Sequence, residues 1–212
     1  ATLRLSYGVY MQGLVKFEND SNRFSSAMQG LSTVAIIFAF GIYLCFHQFW
    51  NRITGLSTPL MILMFLSIWA TEAFEFWSSR QRISYKYKAL VFVTLTVALL
   101  KSVGGIFAVL YAPMLFKVEA RIVTVVGIEL IVYSGLYFIQ FKKCKEFYIK
   151  TYWKYALLFN LPLIPHYLSQ TILNQADRIM IKILVGTDKA GIYSLAYSVA
   201  MLMVIVNTAA LN

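Results

Sequence analysis

Acidic residues are scarce in this chain. Nine Asp and Glu stand against nineteen Lys and Arg, giving a net charge of +10. The three aspartates, Asp20, Asp177 and Asp188, are never adjacent. An integral-membrane glycosyl or acyl transferase would want clustered carboxylates or a His-Asp pair at the membrane surface, and none is visible. No glycine-rich loop with a lysine is present, so nothing here supports ATP-driven pumping. The two cysteines, Cys45 and Cys144, match no metal or redox spacing. The distribution of basic residues puts them on opposite sides of a membrane, so they cannot bridge each other. We therefore expect no catalytic residue, no metal and no cofactor. Charge of either sign is low as well. Only 13% of residues are charged, whereas soluble domains run near a quarter. Nothing resembles a cleavable signal peptide.

What the chain has instead is apolar length. It is 59% hydrophobic, with a mean hydropathy of +0.68. A helical crossing of the hydrocarbon core needs about 20 apolar residues. Six stretches meet this, near 27–48, 57–77, 89–111, 121–141, 156–177 and 190–211. The expected class is an all-α integral membrane protein with six transmembrane helices in an antiparallel bundle. Residues up to Phe17 read as the tail of a preceding helix, and "ENDSN" as a turn, with Asp20 or Ser21 capping the next helix. Pro113 should stop the third span. The chain starts at Ala1 without a methionine and ends at Asn212 directly after an apolar run. We expect an internal piece of a longer membrane protein.

The basic residues set the orientation. One side collects Arg4, Lys16, Arg23, Arg80, Arg82, Lys86, Lys88, Lys142, Lys143, Lys145, Lys150 and Lys154. The other has Arg52, Lys117, Arg121, Arg178, Lys182 and Lys189. The richer side should be cytoplasmic. The net charge is then mostly a topology signal, and a nucleic-acid partner is not expected.

A few residues do not belong in lipid. Lys101 sits about 15 to 18 Å from either end of the third span, at about 1.5 Å per residue. Thr94, Ala98, Gly105 and Ala108 share its face at helical spacing. It could pair with a carboxylate, or draw an anionic substrate group into a cavity. Glu129 lies at similar depth in the fourth span and is the natural partner, as an inert pair or as an ion-sensitive latch. Glu72 and Glu75, near the inner end of the second span, would meet Arg80, Arg82 or interfacial water, or form an inner gate. The fifth span is amphipathic inside the membrane. His166, Gln170, Asn174 and Asp177 recur on one helical face, opposite Leu161, Ile164, Leu168 and Ile172. Unpaired polar groups are expensive against lipid, so the face should line an aqueous cavity or seal against polar neighbours. Pro162 and Pro165 remove two backbone donors and loosen its first turns. "GTDKAG" reads as a turn on the outer surface, and Asp177 with Arg178 could lock the helix end.

"LPLIPHYLSQTILNQADRIMIKILVGTDKAGIYSLAYSVAML" resembles the segment that opens the second half of polysaccharide (O-antigen type, Wzx-like) flippases, members of the multidrug/oligosaccharidyl-lipid/polysaccharide exporter superfamily. "FWSSRQRISYKYKALV" resembles that family's basic inner loop between its fourth and fifth helices, and "YGVYMQGLVKFENDSNRFSS" the loop between its second and third. The resemblance implies two six-helix lobes around a central cavity, as in MATE-like exporters. The chain would carry helices three to eight: residues 1–141 in the first lobe, a basic cytoplasmic linker over 142–155, and 156–212 opening the second lobe. It further implies flipping of a polyprenyl-pyrophosphate-linked oligosaccharide across a bacterial or archaeal cytoplasmic membrane, for polysaccharide, capsule or lipopolysaccharide synthesis. A polysaccharide polymerase, glycosyltransferases and membrane lipids would be the partners. On that reading Lys101 would meet the pyrophosphate and His166, Gln170 and Asn174 the sugars, with Glu129 and Asp177 also in the cavity. The nearest rival is a cation-coupled drug exporter, which would favour an acidic cavity.

Overall fold

The structure is a computed structural model, and it describes residues 4–6, 8–142 and 146–211. Cys144, Lys143 and Lys145 lie outside the described residues. Everything described is helix, turn or short connection. The helices are α1 (Gly8–Lys16), α2 (Ser21–Cys45), α3 (His47–Thr54), α4 (Thr58–Ile83), α5 (Tyr87–Tyr111), α6 (Lys117–Phe141), α7 (Lys150–Asn160), α8 (Ile164–Leu184) and α9 (Thr187–Leu211). The chain divides into two compact units, Ala1–Leu161 and Pro162–Asn212.

Four stretches are long and apolar enough to cross a membrane among the described residues: Glu18–Cys45, Thr58–Ile83, Tyr87–Tyr111 and Lys117–Phe141. Twenty-five residues rise about 37 Å as a helix, more than a bilayer's hydrocarbon core needs. Their outer faces carry Phe38, Phe92, Leu99 and Ile131, each more than 60% exposed. In water such a belt would aggregate; in a bilayer it meets acyl chains. The helix α8 is not among the four, because His166, Gln170, Asn174, Asp177, Arg178 and Lys182 dilute its apolar content.

Local chemistry explains the boundaries. The short helix α3 ends at Gly55, whose φ of 71° is the left-handed conformation that suits glycine. Asn51 of α3 ties this corner. Its side-chain oxygen accepts from Tyr43 at 3.0 Å and its nitrogen donates to Thr58 at 2.8 Å. Pro59 sits in the first turn of α4, where a missing N–H costs little. Before Pro113, Ala112 turns extended and α5 ends, as the sequence predicts. Asp20 does occupy the position before α2, but its side chain caps nothing there. It accepts instead from the Tyr152 hydroxyl at 3.3 Å. Tyr152 and Asp20 are drawn together by packing, and that contact wins over the cap.

Two further expectations are corrected. The fifth expected span is not one helix. Its sequence breaks at a 3₁₀ turn, Leu161–Leu163, between α7 and α8, where Pro162 and Pro165 withhold backbone donors. The "GTDKAG" turn is present but shorter than expected. Val185 and Gly186 alone reverse the chain, with Gly186 at φ 118°, and Thr187 already begins α9.

The first unit is held by an aromatic cluster at the end of the bundle where the chain enters α2. Leu5, Val9, Tyr10, Leu14, Phe24, Met28, Phe76 and Tyr152 are its buried centre. Tyr10 meets Phe76 edge-on at 4.9 Å, and Phe24 meets Tyr152 edge-on at 5.4 Å, the geometry that ring quadrupoles favour. Through Tyr152 and Ala156, α7 packs in this unit against α1 and α2. Burial first, and then the Asp20 carboxylate beside it, push the Tyr152 phenol above its ordinary value. Two glycines permit close approach. A Cβ on Gly13 would lie 2.1 Å from the Phe24 ring, and one on Gly30 would lie 2.2 Å from the Phe147 carbonyl oxygen. The segment after α6 therefore crosses directly over the α2 backbone. Beside it, Arg23 grips the Glu146 carboxylate through Nε at 3.1 Å and Nη2 at 2.9 Å.

Gly30→Ala should drive a methyl into backbone rather than into a yielding side chain. We expect a loss of about 1–3 kcal/mol, read as a lower midpoint of thermal unfolding in detergent. Gly41 has nothing within 4 Å of a Cβ. Gly41→Ala should therefore be neutral or stabilising by about 0.5–1 kcal/mol from helix propensity.

Candidate functional site

The packed face of α5 runs Val93, Val97, Lys101, Gly105 and Ala108. Thr94 and Ala98, expected beside Lys101, are exposed. Gly104 brings α5 close to α6: a Cβ there would meet Ile128 at 3.0 Å and Thr124 at 3.3 Å. Small residues at such crossings let membrane helices approach. That approach places Lys101 against Glu129.

The Lys101 ammonium donates to Glu129 Oε1 at 2.5 Å. On the other side, Ser67 of α4 donates to Glu129 Oε2 at 2.7 Å. Both carboxylate oxygens are thus held, each from a different helix. The Glu129 side chain is 10% exposed and that of Lys101 is 31% exposed. The acid is the buried anchor; the base keeps a third of its surface free. On the same three helices, Ala70, Val97 and Tyr133 form a small core, with Phe74 stacked on Tyr133 at 4.6 Å. A carboxylate buried this far needs partners, and Glu129 has one on each oxygen.

Sequence reasoning found the lysine and the glutamate. It missed Ser67, whose signal was a lone hydroxyl in the apolar run "LMILMFLSIWA". It also missed a second polar cluster, nearer the aromatic core. Gln29 of α2 donates its side-chain amide to the Gln140 side-chain oxygen of α6. Thr33 lies 3.3 Å from the Tyr137 hydroxyl. Gln29, Ser32 and Gln140 are all buried. Glu72 is half-buried and lines a small cavity with Gln29 and Ser32. Arg80 reaches from α4 to the Asn22 side-chain oxygen of α2.

The other candidates lie in the second unit. There α8 and α9 form a hairpin. Tyr193 donates to Asp177 at 3.2 Å, and the Arg178 guanidinium sits 4.6 Å over the Tyr197 ring. Asp177 and Arg178 thus fasten α8 to α9. His166, Gln170 and Asn174 are exposed within this unit, as are Leu168 and Ile172 on the opposite face. The hairpin therefore buries neither the polar nor the apolar face of α8. Among the described residues no group of three His, Cys, Asp or Glu could hold a metal ion.

Comparison with known families decides the class. The model of the "Polysaccharide biosynthesis protein" family matches residues 16–211. The chain belongs to the polysaccharide biosynthesis protein family. The match agrees with the resemblance to Wzx-like flippases and spans both units. No curated protein and no solved structure matches the chain. Family and apolar helices together make this a membrane protein of polysaccharide-related transport. Members of the family are typically flippases or transporters rather than enzymes.

The clamp on Glu129 has an energetic signature. Removing the charge of one partner, as in Lys101→Met, leaves a buried carboxylate uncompensated. We expect a loss of about 3 kcal/mol. The double variant Lys101→Met/Glu129→Leu should recover most of it. Ser67→Ala should cost about 1 kcal/mol. Unfolding midpoints of the three variants in bicelles check the pattern.

Proposed function

We propose that this polysaccharide biosynthesis protein translocates a polyprenyl-pyrophosphate-linked oligosaccharide across the cytoplasmic membrane of a bacterium or archaeon, by alternating access. The observation that supports it best is a lysine one-third exposed at mid-span in a chain of the polysaccharide biosynthesis protein family. A sugar chain with a pyrophosphate cannot cross hydrocarbon unaided. It needs a hydrated path and a positive charge along it, while the prenyl tail stays among the acyl chains.

In this reading α8 and α9 complete a set of six spans in a larger two-lobe bundle. Residues 1–141 contribute to the first lobe, 142–155 to the linker, and 156–212 to the second lobe. The polar face of α8, with His166, Gln170, Asn174 and Asp177, turns to the passage and exchanges hydrogen bonds with sugar hydroxyls. Lys101 swaps Glu129 for the pyrophosphate as cargo arrives, and Glu129 takes the lysine back as cargo leaves. Return of the lysine costs little because Ser67 holds the carboxylate in place. Glycosyltransferases supply the cargo and a polymerase consumes it. The Glu129 carboxylate also favours a second reading, a cation-coupled drug exporter. Gene neighbours that encode glycosyltransferases would decide against it.

The intact protein in liposomes loaded with lipid-linked oligosaccharide should expose glycan to an outer-leaflet probe. Lys101→Glu should abolish this while the protein still inserts. Undiminished flux would remove Lys101 from the path. If turnover draws on a proton gradient, His166, the one imidazole on the polar face of α8, is the candidate coupling group. His166→Ala should then flatten the dependence of flux on a pH gradient.

A further inference from the structure

One arginine lies within a membrane-spanning helix with no anion to meet it. Arg121 is in the second turn of α6, and its side chain reaches across to α5. A Cβ on Gly105 would lie 3.7 Å from its Cγ and 3.8 Å from its Nε. Gly105 is buried beneath that arm, yet Arg121 itself is exposed. Gly105 lies about 9 Å in from the end of α5, below the edge of a hydrocarbon core about 30 Å thick. The ion pairs among the described residues are Arg23–Glu146 and Lys101–Glu129. Arg121 is in neither, and among the described residues no hydrogen bond reaches it. Glu119 is two positions away, and residues so spaced do not face each other on a helix. A cation at lipid depth is costly unless an anion comes to it.

Beside the arginine runs an apolar groove. Ser102, Gly105, Ile106, Val109 and Leu110 of α5 enclose about 240 Å³ together with Arg121. Ile106 and Leu110 are 60% and 70% exposed, so the groove is open along its length. Its walls ask for a negative charge at one end and hydrocarbon along the rest. A guanidinium holds a phosphate through two parallel N–H donors, and basic pockets between membrane helices take lipid headgroups. Lys117, one turn nearer the membrane surface, repels a headgroup that carries its own ammonium. We propose that the groove between α5 and α6 binds one anionic glycerophospholipid, with its phosphate on Arg121 and one acyl chain along Ile106, Val109 and Leu110. The rest of the lipid stays in the bilayer. The site is separate from the Lys101–Glu129 pair, whose lysine is already engaged, and does not depend on the cargo being a glycan. A lipid there ties α5 to α6 at the end of the bundle away from the aromatic cluster.

The test uses the intact protein in detergent, without any sugar lipid, and counts retained lipids by native mass spectrometry. Phosphatidylglycerol should remain as one tight adduct and raise the unfolding temperature more than phosphatidylcholine does. Inorganic phosphate, which has no chain, should not raise it. Arg121→Gln should weaken the adduct by about tenfold. Val109→Trp fills the chain-bearing end and leaves the charge. It should lose the adduct too, which keeps the test open if Arg121→Gln fails to fold. Arg52→Gln, at an exposed arginine of α3 on the same side of the membrane, should retain lipid as the parent does. Equal retention of both lipids, or no greater loss in Arg121→Gln than in Arg52→Gln, would mean an adventitious additive only. Displacement of phosphatidylglycerol by an equal amount of polyprenyl phosphate would assign the groove to the cargo carrier. No retained lipid, with Arg121→Gln lowering the unfolding temperature, would mean that another part of the chain meets the guanidinium. Each of these results overturns the proposal, and none decides whether Lys101 serves glycan flux.

Discussion

The bundle depends on satisfying one buried carboxylate. Glu129 is held at both oxygens, by Lys101 from α5 and by Ser67 from α4. Helices gain little from apolar contact alone when lipid is the solvent. Directional bonds between spans then decide which faces meet. The carboxylate joins three helices with two hydrogen bonds, and the close approach at Gly104 lets the lysine reach it. The same residue that staples the bundle also parks a cation where an anionic cargo could later claim it.

Polar groups at the aromatic end obey a different rule. Tyr10 donates to Ser25 at 2.8 Å, Ser79 to the Ser6 carbonyl at 3.0 Å, and the Trp153 indole to the Ala27 carbonyl at 2.9 Å. The two aromatic donors keep an apolar body in the core and place a polar tip on a hydroxyl or backbone partner. Lys16 lies 4.7 Å over the Tyr155 ring, so a positive charge caps the cluster on its rim. The cluster ties α1 and α7 to α2 and α4.

Much of this was legible in the sequence. The limits of α4, α5 and α6 come from Pro59, Pro113 and the basic loop, and pairing of Lys101 with Glu129 comes from depth alone. What escaped was anything set by neighbours rather than by period. Asp20 carries every local sign of a cap, yet Tyr152, 132 residues away, takes its oxygen. Gln29 and Gln140 look like ordinary polar residues near helix ends until the fold joins them. Nor does the polar period of α8 say what covers it. A helical repeat reports a difference between two faces, and both faces of α8 are open within its own hairpin.

The crossing of Phe147 over Gly30 has a mechanical consequence. Chain between two helices ordinarily behaves as slack string. Here Glu146 is bolted to Arg23, and the next carbonyl rests on bare α2 backbone. The string is clipped at its start, so a tug arriving from downstream ends on the α2 rail instead of unravelling α6. Downstream of the clip, the next backbone donors lost are those of Pro162 and Pro165, at the turn between α7 and α8.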